Sequence, residues 1–198
     1  MAIRSALLIL SALLICISSP AAVAHAAKSL TAFQAREMAA KEVHADARNQ
    51  VIEIYGRRDS KRALPTKWDI IFHDPSAQQH GRLVQISGDK IIGIKEGFVQ
   101  IFRLAAYRQS EAMDWDDVKI DSPEVLNILQ HVKTLSGIKI SGLEMRLLKN
   151  RSDASAQWIV WLYGVGKKSG EFKKFGKAQL DAEDGRILEL SFDPKKLR

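Results

Sequence analysis

With 198 residues, 46% apolar side chains and a formal charge of +7, the chain is long enough for one domain or two small ones and apolar enough for real cores. Its one cysteine, Cys16, lies in the first apolar run, which excludes a disulfide framework and a reactive thiol once that run is removed. Basic residues outnumber acidic ones 30 to 23, so the expected partners are anionic.

In chain order, Arg4 precedes the apolar run Ala6-Leu7-Leu8-Ile9-Leu10 through Ile17, which Ser18-Ser19-Pro20 breaks before the small residues Ala22-Val23-Ala24 and Ala24-His25-Ala26. That order predicts an export signal over residues 1–26, cleaved near Ala24 or Ala26, and a periplasmic or secreted protein. The run is too short for a membrane span of about 20 residues, and the bulky Ile15 before Cys16 argues against a lipidated cysteine. Export also argues against nucleic acid as a partner.

Thr31 reads as the cap of a helix carrying Phe33, Met38 and Val43 on one face and ending near Ala47. Strands follow at Val51–Tyr55, Trp68–Phe72, Arg82–Ile86 and Ile91–Ile94, with a basic connection over 56–66 and a tight turn over 87–90. Residues 98–121 lack the Ser/Gly content of a linker. They predict an ordered connection, a strand over 98–104, and Trp115 buried near the join.

Ser122-Pro123-Glu124 then starts a second helix, with Val125, Ile128, Leu129, Val132 and Leu135 at helical spacing and Gly137 as its stop. Strands are expected at Leu143–Leu147, Trp158–Tyr163, Phe172–Leu180 and Ile187–Leu190, with a Lys-rich tip over 164–170. The order repeats. Trp68 and Trp158 each follow a helix start by about 37 residues and each opens a strand.

The second half, through Trp158-Ile159-Val160-Trp161-Leu162 and Leu180-Asp181-Ala182-Glu183-Asp184-Gly185-Arg186-Ile187, resembles the PepSY-like group of exported bacterial domains. The first half matches it more loosely through Trp68-Asp69-Ile70-Ile71-Phe72 and Val84-Gln85-Ile86-Ser87-Gly88-Asp89-Lys90-Ile91. The resemblance implies a non-catalytic, cystatin-like fold in a group associated with peptidase propeptides and proposed peptidase inhibition, and the tandem layout is similar to secreted β-lactamase-inhibitory proteins. The expected class is therefore α+β, with two tandem units, 27–97 and 122–198, each one helix packed on an antiparallel sheet of about four strands, joined by 98–121.

No catalytic, metal or cofactor motif stands out. His73-Asp74 with His80 reads as a solvated turn rather than a metal site, and Asp114, Asp116, Asp117 and Asp121 lack the spacing of a calcium loop. The binding candidates are the basic tips: Arg57, Arg58, Lys61, Arg62 and Lys67 in the first half, with Lys167, Lys168, Lys173, Lys174 and Lys177 in the second. If these loops correspond, they form one positive rim. Strand alternation puts Trp158 and Trp161 on opposite faces, so an outward Trp161 is the expected partner anchor. The sequence thus points to an exported binding protein acting on another protein through its sheet face and basic loops, the alternative being an anionic small molecule, lipid or glycan held between the halves.

Overall fold

The computed structural model describes residues 29–97, 109–167 and 169–198. The export segment, the strand expected over 98–104 and Lys168 lie outside the described residues. Thr31 starts α1 (Ala32–Ala39) with a capping box: its hydroxyl accepts from the Gln34 amide, and the Gln34 side chain accepts from the Thr31 amide. The helix stops short of Ala47. Val43 turns extended and buries its side chain, and two short 3-10 turns, Ala40–Glu42 and Ala45–Ala47, replace the last helical turns. Burial in the core overrides helical propensity there.

Then follow β1 (Val51–Arg57), β2 (Lys67–His73), β3 (Gly81–Ser87), β4 (Lys90–Glu96), α2 (Ser122–His131), β5 (Gly142–Lys149), β6 (Ala156–Val165), β7 (Phe172–Asp181) and β8 (Ile187–Phe192). The cap of α2 is Asp121, one residue before the expected Ser122, and Val132 is already extended. Gly88 and Gly185 take φ of +62° and +76° in the β3–β4 and β7–β8 turns, where a Cβ would be strained. No helix among the described residues is long and apolar enough to cross a membrane.

The expectation of two units, each with its own sheet, is overturned. All eight strands form one antiparallel sheet in the order β4-β3-β2-β1-β5-β6-β7-β8. The join is the pairing of β1 with β5, from Glu53 opposite Leu148 to Gly56 opposite Met145. Two separate sheets would leave β1 and β5 as unpaired edges, each with a row of unsatisfied backbone groups; pairing them removes both edges. Such pairing links residues about ninety positions apart and leaves no local trace in the sequence.

One consequence is a shared core. A row across the sheet on its helix-covered face reads Ile94, Val84, Ile70, Ile54, Leu147, Trp158, Leu180 and Ile187. The adjacent row on the outer face reads Gly93, Gln85, Asp69, Tyr55, Arg146, Ile159, Gln179 and Glu189. Along these two rows the sheet is apolar beneath the helices and mostly polar outside, while Ile71 and Leu83, further along the outer face, are buried as well.

The repeat survives as a matching set of hydrogen bonds. The indole of Trp68 donates to the Leu30 carbonyl at 3.0 Å and that of Trp158 to the Ile120 carbonyl at 2.8 Å, each across 38 residues. Both rings are fully buried, so each N–H requires such an acceptor. The two carbonyls immediately precede the two helix caps, and the helix N-termini meet. The Ala32 amide donates to Ser122 Oγ at 3.0 Å and the Phe33 amide to Asp121 Oδ1 at 3.2 Å, while the same Oδ1 accepts from Ser122 N at 2.6 Å. Trp115, half-buried, packs on α1 against Phe33 at 5.2 Å between ring centroids and under Arg36 at 4.6 Å.

Because Asp121 caps both helices, Asp121→Ala is expected to cost about 2 kcal/mol, the upper end for a cap, and Thr31→Ala about 1 kcal/mol. Urea unfolding midpoints at unchanged slope would show the difference.

Candidate functional site

Antiparallel pairing of β1 with β5 decides which loops share an end of the sheet. β1 leaves at Arg57, β2 enters at Lys67, β6 leaves at Val165 and β7 enters at Phe172, all at one end. The two basic loops are not corresponding members of the repeat, because the ninety-residue offset matches 57–66 with 147–156 rather than with 164–170. They meet because the seam is antiparallel.

The contact between them is direct. The β1–β2 loop lies across β5, with the Leu143 amide donating to the Ala63 carbonyl at 2.8 Å. Arg58 then sits over Tyr163 on β6 at 4.9 Å and over Phe172 on β7 at 5.3 Å. Next to it Lys174 lies over the half-buried Trp161 at 5.3 Å. Trp158, three pairs along on the opposite face, is wholly inside the core. A cation over an aromatic face gains about 0.5–1 kcal/mol at an exposed site, and neither Arg58 nor Lys174 has a carboxylate partner among the described residues.

Beneath this layer lies Glu144, whose two oxygens accept from Tyr55 at 2.9 Å and Tyr163 at 3.0 Å. Burial, then the hydrogen bond to Glu144 and its charge, push both phenols above their ordinary range. Both therefore stay protonated donors at neutral pH and hold the aromatic platform in one geometry.

The other sequence candidates differ in how they are held. Arg57 is exposed at the end of β1 and donates through Nε at 2.9 Å to Asp69, whose other oxygen accepts from Gln85. Lys61 is exposed on the loop, and Arg62 is half-buried there. Lys167 is exposed at the start of the β6–β7 loop, its amide donating to the Leu197 carbonyl, and it lines a cavity of about 550 Å³ with Lys139 and Arg198. Lys173 is half-buried. Tyr55, Glu144, Tyr163 and Phe172 are members of the surface that sequence reasoning passed over. Their alternation marked the outer face, but nothing local showed that β1 lies beside β5.

Further along the seam the outer face carries a different arrangement. Glu53 is 1% exposed and receives both Nε and Nη2 of Arg146, at 2.6 and 2.8 Å. Burial raises its carboxyl, and Arg146 only partly opposes that. The pair borders a cavity of about 300 Å³ between the halves, floored by Ile52 and Leu148. Arg151 at its rim is bound to Glu111 at 3.1 Å, and Lys149 donates to the Ser110 carbonyl. The cations here are committed, unlike those at the other end.

The histidine turn is a structural joint. His73 and His80 stand 5.9 Å apart between ring centroids, and Asp74 is wholly buried, accepting from the Ser76 amide and hydroxyl and from Arg82 Nε at 2.7 Å. Burial alone would raise the Asp74 carboxyl; the Ser76 hydrogen bonds and Arg82 outweigh it and hold it low. Burial and the neighbouring His80 lower His73. Among the described residues, no three His, Cys, Asp or Glu side chains form a metal-binding group. Two of the acidic residues between the halves serve as caps, Asp114 accepting from the Asp116 amide and Asp121 joining the helices.

Set against protein-family models, curated proteins and solved structures, the chain matches none.

Arg146→Met leaves the Glu53 carboxylate buried without its partner and is expected to cost about 3–5 kcal/mol, most of it recovered when Glu53→Leu is added. Denaturant unfolding of both single variants and the double variant measures this. Asp74, held low in the folded state, contributes stability above the unfolded carboxylate range near pH ~4 and loses it as pH falls through its folded value. Asp74→Asn should therefore lower stability at neutral pH and flatten its fall in acid, as read from melting temperatures between about pH 2 and 7.

Proposed function

We propose that this is an exported, non-catalytic binding protein whose partner is another protein, held on the outer sheet face at the end where the two basic loops meet. The observation that carries the reading is the stacking of Arg58 over Tyr163 and Phe172 beside Lys174 over Trp161. Aromatic faces supply apolar area at small entropic cost, and the cations above them are already positioned, which reduces the side-chain ordering that binding must offset. A complementary surface carries carboxylates around an apolar or aromatic group. Regulation of a peptidase, which the PepSY-like resemblance of the sequence implies, belongs to the same proposal.

The seam cavity supports the small-ligand alternative less well, since Arg146 and Arg151 already hold Glu53 and Glu111. An anion there would have to compete with those carboxylates.

Affinity capture from envelope and culture fractions, with the Arg58→Ala/Trp161→Ala/Lys174→Ala triple variant in parallel, tests the reading. A stoichiometric partner should be retained by the parent protein, weakened about tenfold or more by the triple change and weakened by salt. Retention indifferent to both would remove the outer face from consideration.

A further inference from the structure

β4 is an edge of the sheet: among the described residues it pairs with β3 and with no other strand. It also carries two of the exposed large apolar side chains, Ile92 at 61% and Ile94 at 42%. Ile92 stands at a register shift, between Ile91 opposite Ile86 and Gly93 opposite Gln85, and has no partner of its own on β3. An open edge with apolar side chains is a template for another strand. Edges are protected by charged side chains, by proline or by bulges, and charge of one sign also repels an identical copy. β4 has the bulge at Ile92, but its charges are of both signs, Lys90 and Lys95 against Glu96, with Lys90 and Glu96 three residues to either side of Gly93.

We infer that a second copy of this chain adds to the β4 edge, β4 against β4 and antiparallel, about a twofold axis at Gly93. That register sets Ile92 beside Ile94 of the partner subunit, Lys90 opposite Glu96 of the partner subunit, and Ile91 opposite Lys95 of the partner subunit, whose long stem can lie along the isoleucine while its ammonium stays in water. Gly93 meets its counterpart with no side chain between them. Glu96 meets its own Arg82 at 3.1 Å through Oε1 and accepts from the Gln78 amide at 3.5 Å through Oε2, and its side chain is still 45% exposed.

The other edge does not offer the same match. The one charge on β8 is Glu189, which faces its own Lys177 at 3.9 Å, so self-pairing there has no lysine on the strand to set opposite it. Pairing β4 with β8 of a second copy leaves a free β4 and a free β8 at the ends, so it propagates into a filament. Pairing β4 with β4 closes at two copies. A seven-residue edge buries less than a standard interface, so the dimer is weak and forms with rising concentration.

Sedimentation of the purified protein between about 5 and 500 μM tests this. The expected result is a rise from the mass of one chain to that of two and no further. Ile92→Lys, at an exposed position that leaves thermal melting unchanged, weakens association about tenfold or more. Lys90→Glu also weakens it, and adding Glu96→Lys restores it. A one-chain mass throughout overturns the inference, as does growth past two chains or a dimer indifferent to Ile92→Lys. Failure of the charge exchange to restore association overturns the Gly93 register.

Discussion

The pairing of β1 with β5 is the constraint on which the rest of this structure depends. It turns two sets of four strands into one sheet with two edges instead of four, and it merges their apolar faces into a single core. It is accompanied by a meeting of the two helix N-termini, an arrangement that is unfavourable without help because both ends carry partial positive charge. The Asp121 carboxylate supplies the help by accepting from backbone amides of both helices. The halves are joined by backbone pairing on the sheet and by crossed caps above it, so neither is a self-contained unit.

The same seam divides the outer face into two kinds of electrostatic environment. Away from the basic loops the charge lies deep and is matched, the Glu53 carboxylate holding Arg146. In that low-dielectric setting each charge is tolerable only with its partner present, so these groups rigidify the sheet and have little to offer a ligand. At the end shared by the two basic loops, the cations rest on aromatic rings in contact with solvent. Their charge remains available to a partner. A rigid polar scaffold with an uncommitted cationic and aromatic rim is an arrangement suited to binding.

Much of the fold was legible because its signals are local. Thr31 and Pro123 mark helix starts through the orphan amides of the first turn, and the alternation in Trp68–Phe72 and Trp158–Tyr163 follows from pleating. The opposite faces of Trp158 and Trp161 follow from the same period of two. Helix ends were less legible, since Val43 and Leu135 leave the helical path to fill the core, and that choice depends on what lies across from them. The basic loops were matched by composition, which paired 57–66 with 164–170. Their offset in the repeat shows that composition was the wrong guide, and their meeting has a different cause.

By itself, the sequence determined the described helices and strands apart from the helix ends, their order, the ninety-residue offset and the opposite faces of Trp158 and Trp161, because these follow from backbone sterics and from the periods of helix and strand. Only the tertiary structure decided that β1 and β5 are neighbours. From that came the burial of Glu53, the tyrosine pair on Glu144, the shared cap at Asp121 and the placement of Arg58 over rings from the other half. The physical reason is that strand pairing depends on hydrogen bonds common to every residue, so a partner ninety positions away is chosen by the global removal of edges and burial of apolar faces rather than by any motif at the join.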